Sequence, residues 1–167
     1  SSLTSAPELP ATTLAESCYS GMFGGCSSLA SALALPATTL AYCCYSGMFE
    51  GCSSLTSAPA LPATTLDVCC YFGMFEYCSG LITTPELPAT TLKTSCYLSM
   101  FKNCTGLTSI TIPDSVTSIS RYAFSWCTGL TSVTIPDSVI SIDYDAFYSC
   151  SGITSIIIPN SVISLGN

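Results

Sequence analysis

The sequence predicts an α/β solenoid, a stack of short coils with a parallel β-sheet on the concave side and short helical or 3₁₀ turns on the convex side. Three observations predict it. The stretch Leu3 to Cys26, reading L-T-S-A-P-E-L-P-A-T-T-L-A-E-S-C-Y-S-G-M-F-G-G-C, returns nearly unchanged from Leu29, Leu55 and Leu81. A shorter version starts at Leu107 and at Leu130, and a truncated one at Ile153. Both lengths keep the same order of apolar residues, so both can stack in one array. Self-similarity at a fixed period decides architecture before local propensity does, because one unit cannot bury its apolar face alone and must stack on its neighbours.

The longer copies run over 1–26, 27–52, 53–78 and 79–104, the shorter ones over 105–127 and 128–150, and residues 151–167 begin a seventh. The whole of 1–167 reads as a single solenoid domain, expected to be a segment of a longer array. The short copy carries Leu107, Ile110, Ile112, Val116, Ile119, Ala123, Phe124 and Cys127, where the long copy carries Leu3, Ala6, Leu9, Leu14, Cys18, Met22, Phe23 and Cys26. The gaps Ala6 to Leu9, Leu9 to Leu14 and Leu14 to Cys18 are each one residue longer, which accounts for the difference in length.

Leu107-x-x-Ile110-x-Ile112 ends in strand-like alternation of β-branched residues. The frame recurs at Leu130, Val133 and Ile135 and at Ile153, Ile156 and Ile158. Stacked copies would form a parallel sheet with strands roughly 4.8 Å apart. Pro7, Pro59 and Pro85 cannot donate to a ladder, so the strands of those long copies should stop after Ala6, Ala58 and Thr84. Copy 2 has Leu33 there and should pair one residue further. The prolines at 10, 36, 62, 88, 113, 136 and 159 then turn the chain away. The arm Tyr19-Ser-Gly-Met-Phe23 and its copies are too short for an independent helix. One helical or 3₁₀ turn per coil is expected, with Phe23, Phe49, Phe75, Phe101, Phe124 and Phe147 filling the core.

Composition narrows the function. Net charge is −7, only 8% of residues are charged, and the cations are Lys93, Lys102 and Arg121. With no basic patch, no nucleic acid is expected as a partner. No run of about 18 apolar residues is present, so no membrane insertion is expected in this segment. No histidine exists, and the acids are dispersed; Asp143 and Asp145 lie in a turn without a base or metal set. The sequence therefore predicts no enzyme and no cofactor.

The pattern C-x-x-L-T-S-I-T-I-P-D-S-V-T-S-I-x-x-x-A-F-x-x-C at 104–127 resembles the BspA-type (treponemal) leucine-rich repeat. The long copies are similar to a variant with Met for the family's Ala and Cys for its Ile. The resemblance implies a leucine-rich-repeat solenoid on a surface or secreted protein, associated with adhesion to host matrix and cells. It carries no catalytic residues. Localisation is accordingly expected to be extracellular or at the cell surface. Partners would be a host matrix or cell-surface protein or glycan. The alternative is copies of the chain itself, stacked end to end into an extracellular filament through uncapped edges.

Candidate sites follow from the columns. The polar positions beside the first strand, Thr4, Thr56, Thr83, Thr108, Ser109, Thr111, Thr131, Ser132 and Thr134, form a candidate concave binding face; Ala30 and Ile82 break the threonine register too much for an ice lattice. Tyr19, Tyr45, Tyr71 and Tyr97 form a column that is either a contact stripe or packing between coils. Cys18, Cys44, Cys70 and Cys96 stand where the short copies have Ile119 and Ile142, so they and the closing cysteines 26, 52, 78, 104, 127 and 150 read as core thiols. Cys43 and Cys69, where copies 1 and 4 have Ser17 and Ser95, are the candidate disulfide. Without CxxC or histidine, metal is not expected. Asn103-Cys104-Thr105 is a formal sequon beside a residue expected to be buried, and the Asp-Ser-Val triplets from Asp114 and Asp137 are turn chemistry similar to a short O-glycosylation signal.

Overall fold

A computed structural model describes residues 2–90 and 92–166; Ser1, Thr91 and Asn167, which the repeat boundaries include, lie outside the described residues. Successive coils pair in parallel at a fixed offset. Ser5 bridges Ser31, Thr39 bridges Thr65 and Thr83 bridges Ser109, each pair one long repeat apart. Thr111 then bridges Thr134, one short repeat further along.

Among the described residues, regular strands form only in the short copies and the partial copy after them. They are β1 (Ser118–Ile119), β2 (Ser132–Thr134), β3 (Ser141–Ile142), β4 (Ser155–Ile157) and β5 (Ser164–Leu165). β2 pairs with β4, continuing the first-strand ladder, and Val133 points inward between exposed Ser132 and Thr134. In the long copies the same ladder is reduced to single bridges, as their prolines require. Copy 2 is no exception: Leu33 brings no bridge beyond Ser31, because the coils on either side carry Pro7 and Pro59.

The second sheet, β1-β3-β5, goes beyond what the sequence reading expects. It lies past the proline turn, where V-T-S-I replaces the longer L-A-E-S-C. Its outermost strand, β5, and the outermost strand of the first sheet, β4, have a hydrogen-bonded neighbour on one side only. That edge exposes Ile157 and Ile163, both about four-fifths accessible.

The expected helical or 3₁₀ turns are not there: among the described residues there is no helix of any kind. The arm is instead a run of linked turns. In coil 1, Cys18, Ser20, Met22, Gly24 and Cys26 donate to the carbonyl three residues back. The alternate residues Ser17, Tyr19, Gly21, Phe23 and Gly25 donate to coil 2, onto Tyr42, Cys44, Ser46, Met48 and Glu50. Coil 2 repeats this pattern, as does coil 3 from Tyr71 onward. The physical reason is a left-handed residue at every fourth position, with φ of 54° at Ser17, 62° at Gly21 and 71° at Gly25. Each one reverses the local winding, so no helix can propagate. It also aims alternate N–H groups across the gap between coils. The arm thus bonds the stack as a sheet does.

The core is built of columns. The six core phenylalanines stack ring on ring with centroids 5.5–5.8 Å apart. Beside them run the leucines at 29, 55, 81, 107 and 130 and the methionines at 48, 74 and 100, all fully buried. Where the long copies give way to the short ones, a cavity of about 30 Å³ remains between Tyr97, Phe101, Ile112 and Phe124.

Candidate functional site

All nine residues of the candidate strand face are exposed: Thr4, Thr56, Thr83, Thr108, Ser109, Thr111, Thr131, Ser132 and Thr134. Parallel pairing brings several of them together, Thr83 beside Ser109, Thr111 beside Thr134 and Ser132 beside Ser155. The Thr131 hydroxyl donates to the Thr108 carbonyl at 3.4 Å, and on the second sheet the Ser141 hydroxyl donates to that of Ser118 at 2.8 Å. This face is small, polar and free of charge.

The tyrosine column is packing, not a contact stripe. Tyr19, Tyr45, Tyr71 and Tyr97 stack nearly parallel, with centroids 5.9–6.2 Å apart. Tyr45, Tyr71 and Tyr97 are buried and only Tyr19 is partly open. They sit on the arm residues whose side chains turn inward beside the core cysteines, which spacing alone does not reveal.

Most of the expected core thiols are core. Cys44, Cys52, Cys70, Cys78, Cys96, Cys104 and Cys127 are buried. The closing column forms a ladder of its own. The Cys52, Cys78, Cys104, Cys127 and Cys150 thiols donate to the carbonyls of Phe23, Phe49, Phe75, Phe101 and Phe124 in the preceding coil, at 3.0–3.2 Å. Burial pushes Cys52 up to about 11 and Cys78 up to about 12. Cys18 is exposed and Cys26 and Cys150 are partly open, so these three, in the first and last full coils, depart from the expectation. Cys43 and Cys69 are partly open free thiols. The Cys43 N–H donates to the Val68 carbonyl at 3.0 Å, which brings their two coils together here.

In the sequon Cys104 is buried, as expected, and Asn103 is half-buried with φ 60°. Both Asp-Ser pairs lie in turns, closed by Val116 N–H donating to Pro113 and Val139 N–H to Pro136.

One cluster escapes the sequence reading. The arm face of coils 3–6 exposes Tyr77, Trp126, Tyr144 and Tyr148. The Lys102 ammonium lies 5.8 Å from the Tyr77 ring and 5.7 Å from the Tyr122 ring. The Arg121 guanidinium carbon lies 4.4 Å from the Tyr122 ring and 3.9 Å from the Tyr144 ring. Lys102 also pairs with Glu76 at 2.7 Å, and this hydrogen bond raises its pKa. A signal was present. Tyr77 and Trp126 occupy the column that holds Gly25 and Gly51 in coils 1 and 2, and Tyr122 the column that holds Gly21, Gly47 and Gly73. All three aromatic residues keep the left-handed backbone, with φ of 57–62°. For a side chain with a Cβ that conformation costs about 1–2 kcal/mol.

The sequence profile of the BspA type leucine rich repeat region (6 copies) matches residues 94–167. Comparison with curated proteins gives no match. Among solved structures, a leucine-rich repeat protein from Eubacterium ventriosum is 20% identical with a TM-score of 0.56, over 83% of this chain and 33% of that one. One from Bacteroides ovatus is 23% identical with a TM-score of 0.50, over 87% and 47%. A leucine rich cell surface protein from Faecalibacterium prausnitzii is 23% identical with a TM-score of 0.43, over 77% and 29%. The chain spans about a third of the first of these structures and under half of the second. The first two likenesses establish the leucine-rich-repeat fold.

Proposed function

We propose, from the match of residues 94–167 to the BspA-type leucine-rich-repeat profile, that this chain is a non-enzymatic binding repeat of an extracellular or cell-surface protein, used in adhesion. The observation that carries the reading is the rank of exposed hydroxyls on the parallel ladder, from Thr83 and Ser109 through Thr111 and Thr134 to Ser132 and Ser155. Backbone bonding between coils holds it rigid, so little side-chain entropy is lost when a partner docks. Solenoids commonly bind along such faces. The test is capture on a panel of immobilised extracellular-matrix proteins. The double variant Thr111→Lys, Thr134→Lys should lower capture by about tenfold or more. Its thermal midpoint should stay put, because both side chains are exposed. Undiminished capture would sink the reading.

The surface setting also bears on Cys43 and Cys69, since disulfides persist in oxidising compartments. We expect protein refolded in a glutathione redox buffer to hold one disulfide, between these two, leaving the other cysteines open to alkylation after denaturation. Peptide mapping that finds both residues alkylated would exclude the pair.

A further inference from the structure

We propose that the aromatic patch on the arm face of coils 3–6 is a saccharide-binding site, separate from the strand face. Its exposed rings include Tyr77, Trp126 and Tyr148, about half accessible at 49%, 45% and 53%, and Trp126 meets Tyr148 with centroids 5.8 Å apart. Lys102 lies against Tyr77 and Tyr122, and Arg121 against Tyr122 and Tyr144.

The departure from the repeat is the first argument. Buried aromatic residues in this chain stack face to face in register, as the phenylalanine and tyrosine columns do. The patch residues do not. Trp126 meets Tyr148 at 75° and Tyr122 meets Tyr144 at 74°. Tyr77 and Trp126 stand in a left-handed column that the fold keeps in every coil, as Gly25 and Gly51 and also as Asn103 and Ser149. The backbone strain there belongs to the fold, but the large rings set on it gain little burial in return.

The second argument concerns the occupant. The backbone N–H groups beneath the patch are consumed by the stack: Tyr77 donates to Lys102, Asn103 to Ser125 and Trp126 to Tyr148, at 2.7–2.8 Å. A polypeptide could therefore not be bound here by strand addition, and recognition must use side-chain faces and tips. Exposed indole and phenol faces fit the C–H-lined faces of pyranose rings. Asn103 and Arg121 offer donors to hydroxyls, and Arg121 matches a carboxylate. Lys102 is already paired with Glu76 at 2.7 Å. Arg121, which also donates to the Tyr122 hydroxyl at 2.6 Å, is therefore the cation left for an acidic saccharide, and a neutral one is not repelled.

Trp126 is the only tryptophan, so its emission reports the patch directly. The probes are cellotetraose, which is neutral, and a hyaluronan tetrasaccharide, which carries carboxylates. Saturable change in Trp126 emission with at least one of them is expected, and the choice between them tells whether the cations take part. Tyr148→Glu puts at that position the residue type found in coils 2 and 3, and should weaken binding about tenfold. Its thermal midpoint should match the parent. The strand-face variant Thr111→Lys, Thr134→Lys should bind saccharide like the parent, so failure of one surface does not disguise failure of the other. The proposal falls if neither saccharide gives a saturable response, or if Tyr148→Glu binds equally well. It also falls if only an acidic decapeptide of glutamate shifts the emission, which would make this a protein-docking face.

Discussion

Phe75→Ala should remove about 3–5 kcal/mol of unfolding free energy, the range for deleting a fully buried aromatic ring. Phe75 has no exposed surface and stacks on Phe49 at 5.8 Å and on Phe101 at 5.7 Å. The gap would be hard to close, because the backbones on both sides are tied to the next coil: the Phe49 N–H donates to the Met74 carbonyl and the Phe101 N–H to the Ala123 carbonyl. In a solenoid each coil contacts only its neighbours, so damage in the middle weakens two interfaces at once. Urea unfolding followed by circular dichroism should show a lower midpoint. The slope should also fall if the two halves begin to unfold separately. Phe147→Ala provides the comparison. That ring is half-buried and stacks on Phe124 alone among the phenylalanines, at 5.5 Å, so its loss should cost clearly less. Equal effects at both positions would mean that the column does not hold the stack together.

Alkali should unfold the chain cooperatively between about pH 9 and 11, because stability is linked to thiol ionisation. A thiol's ordinary value of 9.0 is raised by burial to about 11 at Cys52, about 12 at Cys78 and about 11 at Cys96, and burial also raises Cys104 and Cys127. A thiol whose pKa is higher folded than unfolded favours the folded state. That contribution is fully present below pH 9 and disappears as pH rises toward the folded value. Each such thiol withdraws about 1.4 kcal/mol per pH unit across its window. Several titrating together can therefore overcome a stability of about 5–15 kcal/mol, the usual range. Buried tyrosines add to the effect, since burial raises Tyr71 as well. The measurement is far-UV circular dichroism against pH, with thiol reactivity read on the same samples. Buried thiols should become reactive in step with the loss of structure. Native circular dichroism retained at pH 11.5 with all thiols titrated would contradict the buried ladder.

The two predictions draw on different layers of legibility. The phenylalanine column is readable directly, because Phe23 recurs at one fixed place in every full copy and no other use of that periodicity fits a short coil. The cysteine column is readable from substitution: a position that takes Cys in one coil and Ile in another is apolar. The same device, applied to the glycine columns, would have exposed the aromatic patch, since Gly25 and Gly51 give way to Tyr77 and Trp126.

The arm defeats sequence reading for a physical reason. C-Y-S-G-M-F-G-G has the length of a helical turn, although its glycines weaken one. What decides against it is a partner in the next coil: the Gly21 N–H reaches Ser46 and the Phe23 N–H reaches Met48, at 2.8 and 2.9 Å. The second sheet escapes likewise. Ser118–Ile119 becomes a strand only because Ser141–Ile142 lies beside it.

Stacking, the change from a longer to a shorter period, and the identity of the core columns were all legible before any coordinates, because each is written as recurrence along one chain. Contacts between coils settled which hydrogen bonds close the arm and which way its tyrosines face. They also settled where aromatic rings and cations meet on the surface. Those features depend on distances between coils, and such distances exist only once the coils are stacked.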